Sequence, residues 1–386
     1  MLHKVAAAAV SLLAGAGLLT APAAARALVD GTAAPAPGPA AAVAAPAVAD
    51  GRNSCGPEPT NAAGWTRLFG ALDGDWAGGD AALSVRLADG RLLWVFGDSL
   101  TGDVRPDGHR APGSTIVRSS VLVTDGTCAK AATPRRTSLP GSGSTWLWPV
   151  SVLLQSSTSD GGSTVVVFAQ RMRSTGTGAW SFERVGAASV VLRVAAHGRV
   201  SIGRARDLPG SSVLWGAGTV VRGSTTYVYG TRAVHLPPVM GRELLVARAP
   251  TATVTDPRTW TYRTAAGWSR RAADAAVVLP ATSGVSTNPG VVVVGGRFRV
   301  VTKPQEVLDD RVVELTSRTP YGPWSSRLLF RSPSTVSEPT YSPAVVATKP
   351  GAGTVVVVSR TSTDLRTLLD DGSSTRPVFR DVALGA

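Results

Sequence analysis

Gly78-Gly79-Asp80-Ala81-Ala82-Leu83-Ser84-Val85-Arg86-Leu87-Ala88-Asp89-Gly90-Arg91-Leu92-Leu93-Trp94-Val95-Phe96-Gly97-Asp98-Ser99 reads as a β-hairpin. Two apolar runs, 81–87 and 92–96, flank Ala88-Asp89-Gly90, where glycine supplies the positive φ of a tight reversal. In an antiparallel pair centred on Asp89, facing residues have numbers with a constant sum. Leu87 then faces Arg91, Val85 faces Leu93, Leu83 faces Val95, and Asp80 faces Asp98. Opposite residues hold their Cβ atoms about 4.5–5.5 Å apart, and like charges so placed are destabilising. Stability alone would not put two aspartates there, so Asp80 and Asp98 form a candidate site. The competing reading makes both of them turn or cap residues, since Asp beside Gly is common in loops. A bulge would slip the register by one residue without moving either aspartate from the open end.

The same strand-turn-strand pattern recurs at 150–154 with 164–168, at 218–221 with 226–229, at 290–294 with 297–301, and at 343–347 with 354–358. One or two further β-branched runs follow each of the first four pairs, and almost nothing reads as helix. Five units of roughly 65 residues, each with three or four strands, predict an all-β fold, a five-bladed β-propeller. Blades bury both faces, which accounts for strands that are apolar throughout. A β-sandwich or two smaller β-domains is the competing architecture. No linker-like stretch divides the repeats, which disfavours two domains.

Residues 1–27 carry the marks of a secretory signal: Lys4, an apolar run over 6–19, and small residues before a cleavage point near Ala27. That run is too short to span a membrane, and no later stretch reaches ~18 apolar residues. Residues 28–50 are rich in alanine and proline and read as a semi-extended linker, leaving 51–386 for the propeller. A secreted or wall-associated monomer is expected. In an exported chain the two cysteines, Cys55 and Cys128, are expected to pair, the alternative being two buried thiols. The net charge of +13 draws such a protein toward anionic surfaces such as wall polymers. Its arginines are scattered and form no dense basic run, so a nucleic-acid partner is not expected.

In a propeller the first strand of each blade lines the central channel, and the open end of the hairpin is one rim of it. The corresponding positions, where second strands end, are Gln170-Arg171, Thr231-Arg232, Lys303 and Arg360. An acid pair facing an amide and cations suits a hydroxyl-rich or partly anionic ligand, although strand ends are also polar simply because they meet water. Trp76, Trp148 and Trp215 lie near the starts of first strands, where an indole face can stack on a sugar or belong to the core. Glu338, before the fifth repeat, is the candidate acid if Asp98 only orients Asp80. His109 lies in the loop after the hairpin, where it can lean over the site or simply be exposed. No zinc-type His-Glu-x-x-His, phosphate loop or Gly-x-Ser-x-Gly elbow occurs, so neither a metal centre nor a cofactor is predicted; a structural calcium stays open.

At Trp76-Ala-Gly-Gly79-Asp80 and Leu93-Trp-Val-Phe-Gly-Asp98-Ser99 the chain resembles the exported five-bladed propellers related to arabinanase-type glycoside hydrolases. Among them it is most similar to the endo-D-arabinanases of glycoside hydrolase family 183, a DUF4185-like group. Ser99 stands where that family usually has threonine, which keeps the hydroxyl. Tyr321-Gly-Pro-Trp324, Thr340-Tyr-Ser-Pro and Arg376-Pro-Val-Phe-Arg380 are further echoes. The resemblance implies a polysaccharide hydrolase with Asp80 and Asp98 as its acid pair, and with Gly79 and Ser99 beside the substrate. A non-catalytic glycan-binding propeller is the alternative, and a protein-binding propeller a third.

Overall fold

The computed structural model describes residues 55–385 except 179, 211, 235 and 236. The signal and linker expectations fall on 1–50, outside the described residues. The chain is all-β around a few short helical segments. It opens with a helix that sequence periodicity did not suggest, α1 (Ala62–Gly70). Asn61 caps it by accepting from the Gly64 N–H at 2.9 Å. Trp65, Leu68 and Phe69, spaced i, i+3, i+4, are its buried face.

Seven strands follow: β1 (Gly74–Gly79), β2 (Leu83–Arg86), β3 (Leu92–Phe96), β4 (Ser99–Gly102), β5 (Thr115–Val117), β6 (Ser120–Asp125) and β7 (Cys128–Ala131). They form the first sheet, in the order β2-β3-β6-β7, and a small extra sheet, β1-β4-β5. The second sheet is β8 (Thr145–Ser157), β9 (Ser163–Ser174), β10 (Phe182–Val194) and β11 (Val200–Asp207). The third is β12 (Leu214–Arg222), β13 (Thr225–Ala233), β14 (Arg242–Pro250), β15 (Thr261–Arg263) and β16 (Trp268–Ser269). The fourth holds β17 (Gly290–Val294), β18 (Arg297–Thr302), β19 (Arg311–Ser317) and β20 (Ser325–Arg331). The fifth holds β21 (Thr340–Val345), β22 (Thr354–Arg360) and β23 (Val378–Val382), with the short helix α2 (Leu365–Asp370) between its last two strands.

Each of the five main sheets is open and antiparallel, and none closes on itself, although the chain leaves the first through β4 and β5 before returning at β6. The first strand of each neighbours the first strand of the sheets before and after it, β2 touching both β8 and β21. Apolar clusters fill the spaces between consecutive sheets. Val95 and Val121 meet Val167 and Val190 between the first and second, and Phe168 meets Trp215 and Val228 between the second and third. Tyr229 and Val246 meet Val300 and Leu315 between the third and fourth, and Val301 meets Val356 between the fourth and fifth. Trp94 and Phe96 of the first sheet share a cluster with Val355 and Val357 of the fifth, sealed by α1.

Cys55 and Cys128 form a disulfide, pinning the entry segment to the start of β7 across 73 residues. Arg86 adds a second tie, with Glu58 at 2.6 Å and the Ala347 carbonyl at 2.7 Å. Reduction is expected to lower stability by about 2–4 kcal/mol. Denaturant midpoints with and without dithiothreitol check this, and equal midpoints would show that the bond contributes nothing.

Candidate active site

The hairpin register is the one the sequence implies. Leu83 pairs with Val95, Val85 with Leu93 and Arg86 with Leu92. Gly79 pairs with Ser99 and Gly78 with Leu100 in the extra sheet. The pairs from Gly78–Leu100 to Arg86–Leu92 therefore share one constant sum across both sheets, with a break where Asp80 and Asp98 stand; a second shift lies further out, between Gly74 and Gly78. Across the break the Asp80 N–H donates to the Asp98 carbonyl at 3.2 Å, and the Gly97 N–H to the Asp80 carbonyl at 2.9 Å. Ala81, at φ +61°, makes the bend, and its N–H donates to Ser359 Oγ at 2.8 Å. A left-handed alanine is strained, and such residues gather where side chains must be aimed. Gly97 leaves the space that the Asp80 carboxylate occupies, because a Cβ there would collide with Asp80 Oδ1.

Each aspartate is gripped by a neighbouring sheet. Tyr341 of β21 donates its hydroxyl to Asp80 Oδ2 at 2.7 Å. Trp148 of β8 donates its indole N–H to Asp98 Oδ1 at 2.7 Å, and Arg118 Nη1 lies 3.5 Å from Asp98 Oδ2. Burial pushes the Asp80 carboxyl up to about 7, helped by the charge of Asp98 and opposed by the Tyr341 hydrogen bond. Burial pushes Asp98 up to about 6, held back by Arg118 and Trp148. Asp98 has a guanidinium and an indole N–H beside it and 32% of its side chain open to water, whereas Asp80 has one neutral hydroxyl donor. Asp98 is the better stabilised anion and Asp80 the better proton carrier.

The other sequence candidates fare unevenly. Trp76 and Trp215 are 2% and 1% exposed. Trp76 packs on Phe69 and Phe96, and Trp215 on Trp260 and Tyr262. Neither offers a ring face to a sugar, which corrects that expectation; Trp76 also belongs to β1 rather than to a first strand. Trp148 is buried against Phe182 and serves as a donor to Asp98. Lys303 is a second correction. It is fully buried, its ammonium donating to the Thr340 carbonyl at 2.6 Å and Thr340 Oγ1 at 2.7 Å, and burial lowers it to about 8.

Gln170 and Arg232 lie inside β9 and β13 rather than at strand ends, Gln170 opposite Trp148 and Arg232 paired with Glu243 at 2.6 Å. Arg360 ends β22 and donates to the Ser373 carbonyl at 3.0 Å. Gly79 and Ser99 are buried in the ladder, the Gly79 N–H on the Thr375 carbonyl and Ser99 Oγ on Ser120 Oγ. Neither reaches outward to a ligand, a third correction. Glu338 is exposed in the loop before β21, and among the described residues its carboxylate makes no hydrogen bond or ion pair, so nothing ties it to Asp80. His109 bonds Asp370 at 2.9 Å, away from the acids.

Sequence reasoning missed Tyr341, although its Thr-Tyr-Ser-Pro setting had been noticed, and it missed Arg118 and Glu306. Glu306 is 5% exposed and sits at φ +57° in the turn after β18. It accepts from Thr287 Oγ1 at 2.6 Å and lies 3.9 Å from Arg242 Nε. Burial raises its carboxyl while Arg242 lowers it. Among the described residues no cluster of three or more His, Cys, Asp or Glu is placed to hold a metal, and no helix is long and apolar enough to cross a membrane.

A family model described as a domain of unknown function, DUF5005, matches residues 64–379, most of the chain. The chain belongs to the DUF5005 family. No curated protein matches this DUF5005 chain. A Bacteroides ovatus protein, provisionally named a hydrolase, shares its fold with a TM-score of 0.65 at 16% identity, over 83% of this chain and 89% of that one. Weaker likenesses include a family 43 arabinoxylan arabinofuranohydrolase of Bacillus subtilis (TM-score 0.47, 14% identity, 81% and 67% covered). Another is an α-L-arabinofuranosidase of Podospora anserina (0.45, 8%, 80% and 92%). At that distance neither supports an argument about the DUF5005 chain.

Proposed function

We propose that this DUF5005 protein is an exported five-bladed propeller that hydrolyses arabinofuranose-containing wall polysaccharide in the manner of an endo-D-arabinanase. The five sheets are its blades, and their neighbouring first strands surround the channel. The observation that carries the reading is the break in one ladder at two opposed carboxyls, each held by a different neighbouring sheet and split in acidity. Glycoside cleavage needs one carboxyl ionised and one protonated. Asp98, steadied by Trp148 and Arg118, acts as the nucleophile on the anomeric carbon. Asp80 gives its proton to the leaving oxygen. Asp80 then takes a proton from water, which cleaves the glycosyl ester and restores Asp98. Opposed strand positions match the about 5–5.5 Å spacing of retaining enzymes better than the wider spacing of inverting ones. The arabinofuranose preference rests on the first-hairpin motif alone.

Incubating the mature protein with arabinogalactan, pectic arabinan and xylan tests the proposal. Release of reducing ends from an arabinose-bearing polymer is expected. Binding without release would favour a glycan-binding propeller, and neither binding nor release would leave a protein partner as the better reading.

A further inference from the structure

On the far side of Arg118 from Asp98, along the segment that joins the first and second sheets, lies an open groove of about 570 Å³. Its lining carries Thr137, Ser142, Thr145 and Ser174, with an edge of the buried Trp146 and the small residues Gly141 and Gly143. Arg118 forms the end nearest the acids. Its guanidinium lies 4.5 Å from the Trp146 ring centroid and 3.5 Å from Asp98 Oδ2. Trp146 is only 8% exposed, yet its indole N–H has no hydrogen-bond partner among the described residues. The walls are rich in hydroxyls and the one charge is already shared with Asp98, a lining suited to a neutral polyhydroxyl chain rather than to an anion. Hydroxyl and guanidinium edges suit the rim of a sugar ring.

Resting on the hydrolase reading above, we propose that this groove holds the sugar units of the substrate chain beyond the bond that is cut, on the Asp98 side. Arg118 lines the groove and lies 3.5 Å from the nucleophile, so a chain seated there also braces Asp98. Binding energy from such remote units is realised as rate and affinity on long substrates and is invisible on short ones.

The test is to plug the groove with Ser142→Trp. Ser142 is exposed, and its backbone alone bonds Thr145. Cleavage of arabino-oligosaccharides of two and of six units is compared in wild type and variant, with calorimetric binding of the six-unit chain to both. Support is a rise of about tenfold or more in KM for six units, with turnover of two units unchanged. If the protein cleaves nothing but binds six units, and the plug weakens that binding about tenfold, the groove stands while the hydrolase reading falls. Equal effects on short and long chains, or none on either, overturn the groove. So does a wild type that neither cleaves nor binds the six-unit chain.

Discussion

On the proposed mechanism, Asp98→Asn is expected to remove turnover by about four orders of magnitude or more, as loss of a group acting in concert with its partners does. Asp80→Asn costs about 10²–10⁴-fold, the usual share of a general acid. Both variants are expected to fold, and to be more stable than wild type at neutral pH. The sign follows from the direction of the shifts. A carboxyl raised in the native state, here from 3.8 to about 7 and about 6, ionises first in the unfolded chain. Stability therefore falls as pH climbs from the ordinary carboxylate range through the native values. The advantage of the asparagine variants is small in acid, widens across that window, and is complete above about pH 7. Denaturation midpoints at pH 5 and pH 8 check this. If the aspartates were only turn caps, each variant would instead lose about 1 kcal/mol at both pH values and keep its activity. The pH–rate profile should be a bell between about 6 and about 7, its limbs belonging to the pair rather than to either residue.

Glu314→Ala is expected to destabilise the fold by about 3–5 kcal/mol, the cost of stranding a buried charge. Glu314 is 1% exposed on β19. One carboxylate oxygen takes Arg299 and the other takes Arg327 at 2.5 Å. Arg299 is itself 6% exposed, and among the described residues its other hydrogen bonds go to the Val294 carbonyl at 3.3 Å and Thr316 Oγ1 at 3.4 Å. Truncation leaves its guanidinium without a counter-ion. Burial raises the Glu314 carboxyl, but Arg327 and Arg299 outweigh it and hold the group below its ordinary 4.5. Its contribution is accordingly present above that value and lost as pH falls through the native one. The gap between wild type and variant, measured by urea unfolding, should narrow in acid. Replacing Glu314 and Arg299 together by Leu and Met should recover most of the loss, since an apolar pair needs no partner. A loss under 1 kcal/mol for Glu314→Ala would show that water reaches Arg299.

The arithmetic of an antiparallel ladder is local, so the sequence disclosed the hairpin register, the facing of Asp80 with Asp98 and the reversal at Gly90. The cysteine pairing followed from compartment and count. What settled the remaining candidates was long-range burial. Lys303 reads as a rim cation because its stem length and its distant carbonyl partner are invisible in the chain. Trp76 and Trp215 read as platforms because an aromatic at a strand start looks the same whether core or solvent covers it. Tyr341 and Trp148 reach the acids from sheets more than 49 residues away, where pattern reading gives no direction. The helix α1 was missed because nine residues yield one short apolar stripe, easily lost among strands.

The contact of α1 with the last strand bears on the order in which the molecule can be completed. The Ala62 N–H donates to Asp381 Oδ1 at 2.8 Å, and the Trp65 and Phe379 rings stack, across more than three hundred residues. During synthesis Trp65 and Phe69 emerge more than three hundred residues ahead of Phe379, their final neighbour. Until then a patch of aromatic surface has nothing to cover it, and the nascent chain stays open and sticky. A chain lacking β23 should behave like that intermediate, engaging holdase chaperones or aggregating instead of losing one edge strand quietly. β23 is the latch that covers that patch.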